Sequence, residues 1–210
     1  MASPFDNLTK LQINKLFDLL GVHIYRYKKN EEILPTMKSG NIIGIIMEGQ
    51  AQINYLEYNG NEIMMETLEK DDIFGTNISL TNNEDCQIIA KEETEVLVID
   101  YDKLINPRNL KYSYFNTFFR NMFDIINTKF KERNERIKVL EKKQIRDKLL
   151  EYFEITYKKT HSRFIYLPFS FKDLADYIGV NRSAMFRELG HLKDDNFIEV
   201  KDKRIKLLYK

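Results

Sequence analysis

The stretch that most constrains the fold is residues 170–192, in which one glycine separates two helical patterns. Ser170, with a carboxylate three residues later, is typical of a capping box at a helix start. Gly179 supplies the left-handed backbone that ends a helix, and Asn181 can cap the next one. The apolar residues that recur at helical spacing are Phe171, Leu174, Ala175 and Ile178, then Met185, Leu189 and Leu192. The stretch therefore predicts two short helices joined by a tight turn.

The second of these helices carries a polar and aromatic surface at its N-terminal end. The outward-facing residues there are Arg182, Ser183, Phe186 and Arg187. The order helix, glycine turn, helix is typical of the helix-turn-helix, whose second helix enters the DNA major groove. An ordinary helical hairpin would have the same spacing. Two alternating runs, 197–200 and 204–207, follow the second helix and predict a two-stranded wing with Lys203 at its turn.

Charge is distributed unevenly along the chain. Residues 1–130 hold 13 Lys and Arg against 19 Asp and Glu (net −6), and residues 131–210 hold 20 against 13 (net +7). A basic C-terminal part behind an acidic N-terminal part indicates a polyanionic partner at one end only. The alternative is a basic face that is merely solvated.

Other features bear on the compartment and on the classes of site that are possible. No apolar run approaches the roughly 18 residues that span a membrane, and the first residues lack the pattern of a secretion signal. The single cysteine, Cys86, cannot form an internal disulfide or a four-thiolate iron–sulfur site. The sequence contains no phosphate-binding glycine loop, paired metal-ligand motif or nucleophile elbow. We therefore expect a cytoplasmic protein that has no membrane partner and is not an enzyme.

The N-terminal half changes from one helix to a series of short strands. Residues 8–20 form an amphipathic helix that ends at Gly21. Asn59-Gly60 lies between two alternating runs, which is typical of a β-hairpin. The predicted strands are 23–27, 42–47, 51–58, 63–68, 73–74, 87–90 and 95–99. Strands this short and closely spaced predict a small antiparallel barrel or jelly-roll-like β-roll.

From about Pro107 to Thr160 the pattern is helical, and the first helix has two apolar faces. One face follows heptad spacing and predicts a dimer seam formed by Phe119, Phe123, Ile126 and Phe130. The other face suits packing on the roll and consists of Phe115, Phe118, Met122 and Ile125. A helix buried within its own domain is the alternative to a dimer. We place a break near Asn134, with a second helix over 137–157, and interpret most cations between 133 and 148 as a solvated surface.

The order of these parts, together with three local motifs, resembles the Crp/Fnr family of bacterial transcription regulators over essentially the whole chain. Gly49 and Gly60 occupy the positions of the family's turn glycines, and KDDIFG, ending at Gly75, is similar to its Phe-Gly turn. The most specific match is KDLADYIGVNRSAMFRELGHLKDDNFIE, residues 172–199. The resemblance implies an α+β protein with a β-roll sensor domain (1–108), a dimerisation helix (109–136) and a winged helix-turn-helix (137–210).

The resemblance also implies partners and contact residues. The partners are a second copy of the chain, duplex DNA with an inverted-repeat operator, RNA polymerase and an unidentified small-molecule effector. The residues assigned to DNA are Asn181, Arg182, Ser183, Phe186, Arg187 and Lys203. Many members have Glu where this chain has Ser183, whereas the Arg at position 187 is retained. We therefore expect a half-site with a G·C pair contacted by Arg187 and an altered preference beside it.

The predicted effector pocket departs from the cyclic-AMP-binding pattern. Its residues are Gly75, Thr76, Cys86 and Gln87. Thr76 stands where cyclic-AMP-binding members have a ribose-binding Glu, and Cys86-Gln87 stands where they have the phosphate-binding Arg-Ser pair. A phosphate in a partly buried pocket needs a cation or several directed donors. We therefore expect an effector other than cyclic AMP.

Other sensing chemistry has little support in the sequence. No cofactor is predicted, although the scattered His23, His161 and His191 leave haem-based sensing of nitric oxide as an alternative. Cys86 could act as a thiol switch, but two neighbouring carboxylates would raise its pKa and slow its reaction. A third class of function is a sensor or adaptor module in which the winged helix binds protein.

Overall fold

The computed structural model describes residues 2–33, 41–56, 58, 62–75, 86–167, 170–201 and 204–209. The chain divides into two compact units, Met1–Thr128 and Lys129–Lys210. Within the described ranges no helix combines the length and the apolar character needed to cross a membrane.

The N-terminal unit is one helix followed by a roll of short strands, as predicted. Helix α1 (Lys10–Leu20) begins at a Thr9 capping box and ends at Gly21, whose φ is 59°. The strands are β1 (His23–Tyr27), β2 (Ile42–Glu48), β3 (Ala51–Leu56), β4 (Glu62–Leu68), β5 (Ile73–Gly75), β6 (Cys86–Ala90) and β7 (Thr94–Asp100). A short helix, α2 (Tyr101–Leu104), and a 3₁₀ turn (Pro107–Lys111) then lead to the long helix α3 (Ser113–Leu140).

These strands form two antiparallel sheets, in the orders β1-β7-β2-β5 and β4-β3-β6. The predicted hairpin pairs β3 with β4 from Ala51–Leu68 to Leu56–Glu62, while Asn59-Gly60 itself lies outside the described residues. Burial alternates along β3, where Ala51 and Ile53 are buried, whereas the central strands β2 and β7 each bury four consecutive residues, 43–46 and 96–99. This arrangement confirms the predicted antiparallel roll.

Helix α3 presents two different apolar faces. Phe115, Phe118 and Met122 are at most 3% exposed, and they share a core with α1, β2 and β7. The predicted packing of this face on the roll is confirmed. The side chains of the predicted seam are mainly in solvent: Phe119, Phe123 and Phe130 are 42%, 58% and 62% exposed, and Ile126 is half-buried.

The C-terminal unit contains the end of α3, three further helices and three strands. They are α4 (Ile145–Thr160), β8 (Phe164–Tyr166), α5 (Phe171–Tyr177), α6 (Arg182–Asp194), β9 (Ile198–Lys201) and β10 (Arg204–Leu207). The three strands form an antiparallel sheet in the order β8-β10-β9, one strand more than the predicted wing. Apolar side chains from all of these elements form one core.

The predicted break near Asn134 is wrong. Helix α3 continues to Leu140, and the chain leaves helical geometry only between that residue and Gln144. Val139 is fully buried in the core of the C-terminal unit, and Glu135 forms an ion pair with Lys159 of α4. These contacts favour a continuous helix through the position of Asn134.

Candidate DNA-binding interface

Helix α5 starts at the predicted capping box. The Ser170 Oγ accepts a hydrogen bond from the Asp173 amide at 3.2 Å, and the Asp173 carboxylate accepts one from the Ser170 amide at 3.0 Å. The two residues thereby satisfy two amides at the start of a helix of only seven residues. Leu174 and Ala175 turn inward and are buried.

A tight turn joins α5 to α6. Gly179 has a φ of 64°, the left-handed conformation that most residues with a Cβ avoid, and its predicted role is confirmed. The Val180 amide donates to the Ala175 carbonyl at 3.0 Å, which closes the end of α5. The Asn181 Oδ1 accepts from the Ser183 amide at 2.9 Å and from the Ala184 amide at 3.4 Å. Asn181 is therefore the N-cap of α6, as predicted.

Helix α6 has one buried face and one exposed face. Met185, Leu189 and Leu192 are at most 5% exposed and anchor the helix in the core. The four predicted contact residues of this helix lie together at its N-terminal end, and all are exposed: Arg182, Ser183, Phe186 and Arg187. Among the described residues, no hydrogen-bond or ion-pair partner is found for the Arg187 guanidinium. Its donors are therefore available to a ligand.

Arg146 of α4 holds the side of α6, a role that the sequence analysis missed. Its Nη1 lies 2.8 Å from the Asp195 carboxylate and 3.6 Å from that of Glu188, and its guanidinium packs 4.9 Å from the Phe197 ring centroid. Glu188 directly follows Arg187, so this pairing neutralises a carboxylate next to the proposed guanine-binding side chain. On the next turn of α6, the His191 Nδ1 lies 3.3 Å from the Glu188 Oε2.

Two further cations hold the end of α5. The Arg136 Nε donates to the Tyr177 carbonyl at 3.1 Å, and the Lys148 Nζ donates to the Ile178 carbonyl at 2.9 Å. Positive charge at the C-terminal end of a helix is favourable because it complements the helix dipole. The interpretation of these cations as a solvated surface is wrong for Arg136, Arg146 and Lys148. Burial raises the pKa of Tyr177, so its phenol stays protonated at neutral pH.

The wing is a sheet with one buried apolar face and one exposed face. Ile165, Ile198 and Ile205 point into the core, while Arg204 lies opposite Lys201 on β9 and Tyr166 on β8. Lys203, the remaining predicted DNA contact, lies outside the described residues.

The predicted effector residues lie on strands of both sheets. Gly75 ends β5 opposite Ile43, with a φ of 153°, and a Cβ there would collide with the Ile42 carbonyl. Cys86 and Gln87 are neighbours at the start of β6 and are half-buried. Of these residues, Cys86 and Gln87 are adjacent and Gly75 lies in the other sheet. Thr76 lies outside the described residues.

The described residues contain no group of three or more His, Cys, Asp or Glu side chains arranged to hold a metal ion. The three histidines considered for haem are all exposed and lie on separate elements: His23 on β1, His161 after α4 and His191 on α6.

Two family models match the chain. The "Cyclic nucleotide-binding domain" matches residues 24–106, which contain the roll, and the "Crp-like helix-turn-helix domain" matches residues 143–209. The chain belongs to the Crp/Fnr family. It thus has the fold of a Crp/Fnr transcription regulator with a DNA-binding helix-turn-helix, in a family of regulators that are not enzymes.

Solved structures with the Crp/Fnr fold align over nearly the full chain. A CooA variant from Carboxydothermus hydrogenoformans is 20% identical with a TM-score of 0.60, covering 97% of this chain and 88% of that one. CprK in complex with OCPA is 18% identical with a TM-score of 0.63, and the alignment covers 93% of this chain and 91% of that one. The Catabolite Activator Protein of Thermus thermophilus is 15% identical with a TM-score of 0.51, covering 98% and 93%.

These likenesses support the shared fold alone, because the identities are low. No curated protein sequence matches this Crp/Fnr member.

Proposed function

We propose that this Crp/Fnr member is a homodimeric, sequence-specific transcription regulator that binds an inverted-repeat operator and responds to an effector other than cyclic AMP. The observation that carries the proposal is the exposed N-terminal face of α6, where the Arg187 guanidinium has no hydrogen-bond or ion-pair partner among the described residues. A guanidinium can donate two hydrogen bonds to the O6 and N7 of guanine in the major groove.

The charge of the C-terminal region supports binding to duplex DNA. Residues 131–210 carry a net charge of +7, from 20 Lys and Arg against 13 Asp and Glu. We assign Arg182, the first residue of α6, mainly to the phosphate backbone, because phosphate oxygens take the larger share of the hydrogen bonds that Arg and Lys side chains donate to DNA. Phosphate contacts release counterions, so binding should weaken steeply as salt is raised.

The exposed seam of α3 supports a homodimer. Phe119, Phe123, Ile126 and Phe130 recur at alternating spacings of four and three, as in a coiled coil. The three phenylalanines are each at least 42% exposed. Large aromatic side chains in such a row are costly to leave in water, and a second copy of the same helix would cover them. A two-fold dimer requires an inverted-repeat operator with half-site centres about one helical turn apart.

The proposal for the effector rests on the chemistry of β6. Cys86 and Gln87 are neutral, so neither compensates the charge of a cyclic phosphate. We propose a neutral or hydrophobic ligand, with haem as the second choice. RNA polymerase is the protein through which we propose that the bound regulator changes transcription.

Substituting Arg187 by Ala should weaken specific binding by about 1–3 kcal/mol and relax the preference at one base pair per half-site. The reason is the loss of bidentate donors to guanine. Arg182→Ala is the matched control, because it removes an equal charge from the same helix but should weaken binding evenly across sequences. The base preferences of both variants can be measured by selection of binding sites from a random duplex library.

Identical base preferences for Arg187→Ala and the wild type would show that α6 does not recognise bases as proposed. A wild-type protein with no salt-sensitive affinity for duplex DNA would instead support the adaptor function, in which the winged helix binds protein.

Cyclic AMP and cyclic GMP should neither bind measurably nor change the affinity for DNA. A single neutral hydrogen bond between the pocket and the cyclic nucleotide contributes only about 0.5–1.5 kcal/mol net to binding. Transferring the phosphate from water into a pocket that offers it no cation costs several kcal/mol, which this hydrogen bond does not offset. Titration calorimetry measures this directly, with a cyclic-AMP-binding member of the family as the positive control. Binding in the micromolar range would contradict the prediction and would mean that a cation from elsewhere reaches the pocket.

A further inference from the structure

We propose that Phe186 is a specificity-determining residue that contacts the C5-methyl group of a thymine in each half-site. The inference rests on the proposed function, since it assumes that α6 enters the major groove. Among the residues assigned to DNA, Phe186 is the one whose side chain has no hydrogen-bonding group.

Phe186 lies among the contact residues but does not belong to the core. Its side chain is 43% exposed, whereas Met185 and Leu189, on either side in sequence, are at most 5% exposed. It is one helical turn after Arg182 and directly before Arg187, the residue proposed to bind guanine. The ring is therefore placed to contact a base pair near that guanine.

Contacts on two sides hold the ring in place. The Phe171 ring of α5 lies 5.5 Å away, centroid to centroid, at an interplanar angle of 50°. The Arg182 guanidinium lies 5.6 Å from the Phe186 centroid. A side chain that is already ordered loses less conformational entropy when it binds, so more of its contact energy contributes to affinity.

The helix surface beyond Phe186 is open. Gly190 follows one turn later, and a Cβ added there would meet no atom within 4 Å. Because no side chain projects from this position, the end of a base pair can approach the helix closely beside the Phe186 ring.

The chemistry of the groove selects thymine. Base edges in the major groove present hydrogen-bond donors and acceptors, and the C5-methyl of thymine is the apolar group among them. A phenyl ring cannot donate or accept a conventional hydrogen bond, so opposite a polar edge it would desolvate that edge without replacing its bonds. Opposite a thymine methyl it buries apolar surface on both partners.

The test removes only the methyl group. Each thymine of one operator half-site, taken from the binding-site selection above, is replaced in turn by deoxyuridine, and the affinity of the full-length protein is measured. For the wild type we expect a loss of about four-fold at one position near the guanine, since one buried methyl group contributes about 0.8 kcal/mol. Replacement in both half-sites should cost about fifteen-fold.

The matched variant is Phe186→Ala, which should bind the thymine and deoxyuridine operators equally. Arg182→Ala removes one of the two contacts of the ring but keeps the ring itself and its packing on Phe171, so it should still distinguish thymine from deoxyuridine, although its overall affinity is lower. Thermal unfolding of each variant verifies that the helix is intact. If Phe186→Ala is unfolded, Phe186→Gln serves in its place, because Gln is a good helix former and its longer side chain keeps more of the packing on Phe171.

The outcomes separate the inference from the proposed function. If the wild type binds with an Arg187-dependent base preference but no deoxyuridine position changes affinity, Phe186 does not contact a methyl group and the inference is overturned. The same conclusion follows if wild type and Phe186→Ala lose affinity equally. If no duplex is bound specifically, the proposed function fails and the inference fails with it.

Discussion

Phe118→Ala is expected to lower the free energy of unfolding of the N-terminal unit by about 3–5 kcal/mol. Phe118 has no exposed surface, and its ring stacks on Phe5 with the centroids 5.6 Å apart, within the core that also contains Leu16 and Leu97. Truncation would leave a cavity where α1, α3 and the roll meet. Domains are stable by only about 5–15 kcal/mol, so this single change removes a large part of the total.

Urea denaturation monitored by circular dichroism, at one fixed protein concentration, measures the change. Phe118→Leu is the control because it keeps most of the side-chain volume and should cost less than about 1.5 kcal/mol. Equal midpoints for Phe118→Ala and the wild type would show that this face of α3 is not part of the core.

Phe123→Asp is expected to convert the homodimer into a monomer and to abolish high-affinity operator binding. Phe123 is 58% exposed, so the substitution removes little from the fold of the single chain. In a two-fold seam each copy would bring a carboxylate into an apolar contact, where burying it costs several kcal/mol. Loss of the dimer uncouples the two half-sites, and each recognition helix then binds alone.

Sedimentation at micromolar concentration distinguishes the two states. Lys131→Asp is the control, because it places a carboxylate at an exposed position of α3 outside the seam and should leave a dimer. A dimeric Phe123→Asp protein would exclude this seam as the interface, and a monomeric wild type would exclude the dimer altogether.

The helix-turn-helix could be predicted closely because its signals are local. Ser170, Gly179 and Asn181 each act through hydrogen bonds or backbone angles within a few residues of their own position. The roll was predictable for a similar reason, since alternation within each run identifies a strand. The exposure of Phe119 and Phe123 also follows from heptad spacing once Phe118 is known to face the roll.

The parts that the sequence analysis missed depend on contacts between distant residues. An Asn in a helix interior is less favourable than Ala by no more than about 0.7 kcal/mol. The burial of Val139 and the hydrogen bond from Arg136 to the Tyr177 carbonyl offset that cost. The actual break contains neither Gly nor Pro, so no local signal marks it. Likewise, Arg146 and Lys148 resemble any exposed cations in the sequence until α5 and α6 are packed against α4.

The place where α3 ends has a practical consequence for anyone who wishes to express the DNA-binding part alone. A fragment that begins at residue 143, where the helix-turn-helix match begins, would lack Val139 and Arg136. Without Val139 the core of the C-terminal unit would be exposed, and without Arg136 the Tyr177 carbonyl would lose its hydrogen-bond donor. A fragment that begins at Lys129, the first residue of the C-terminal unit, retains both and is the better boundary for cloning.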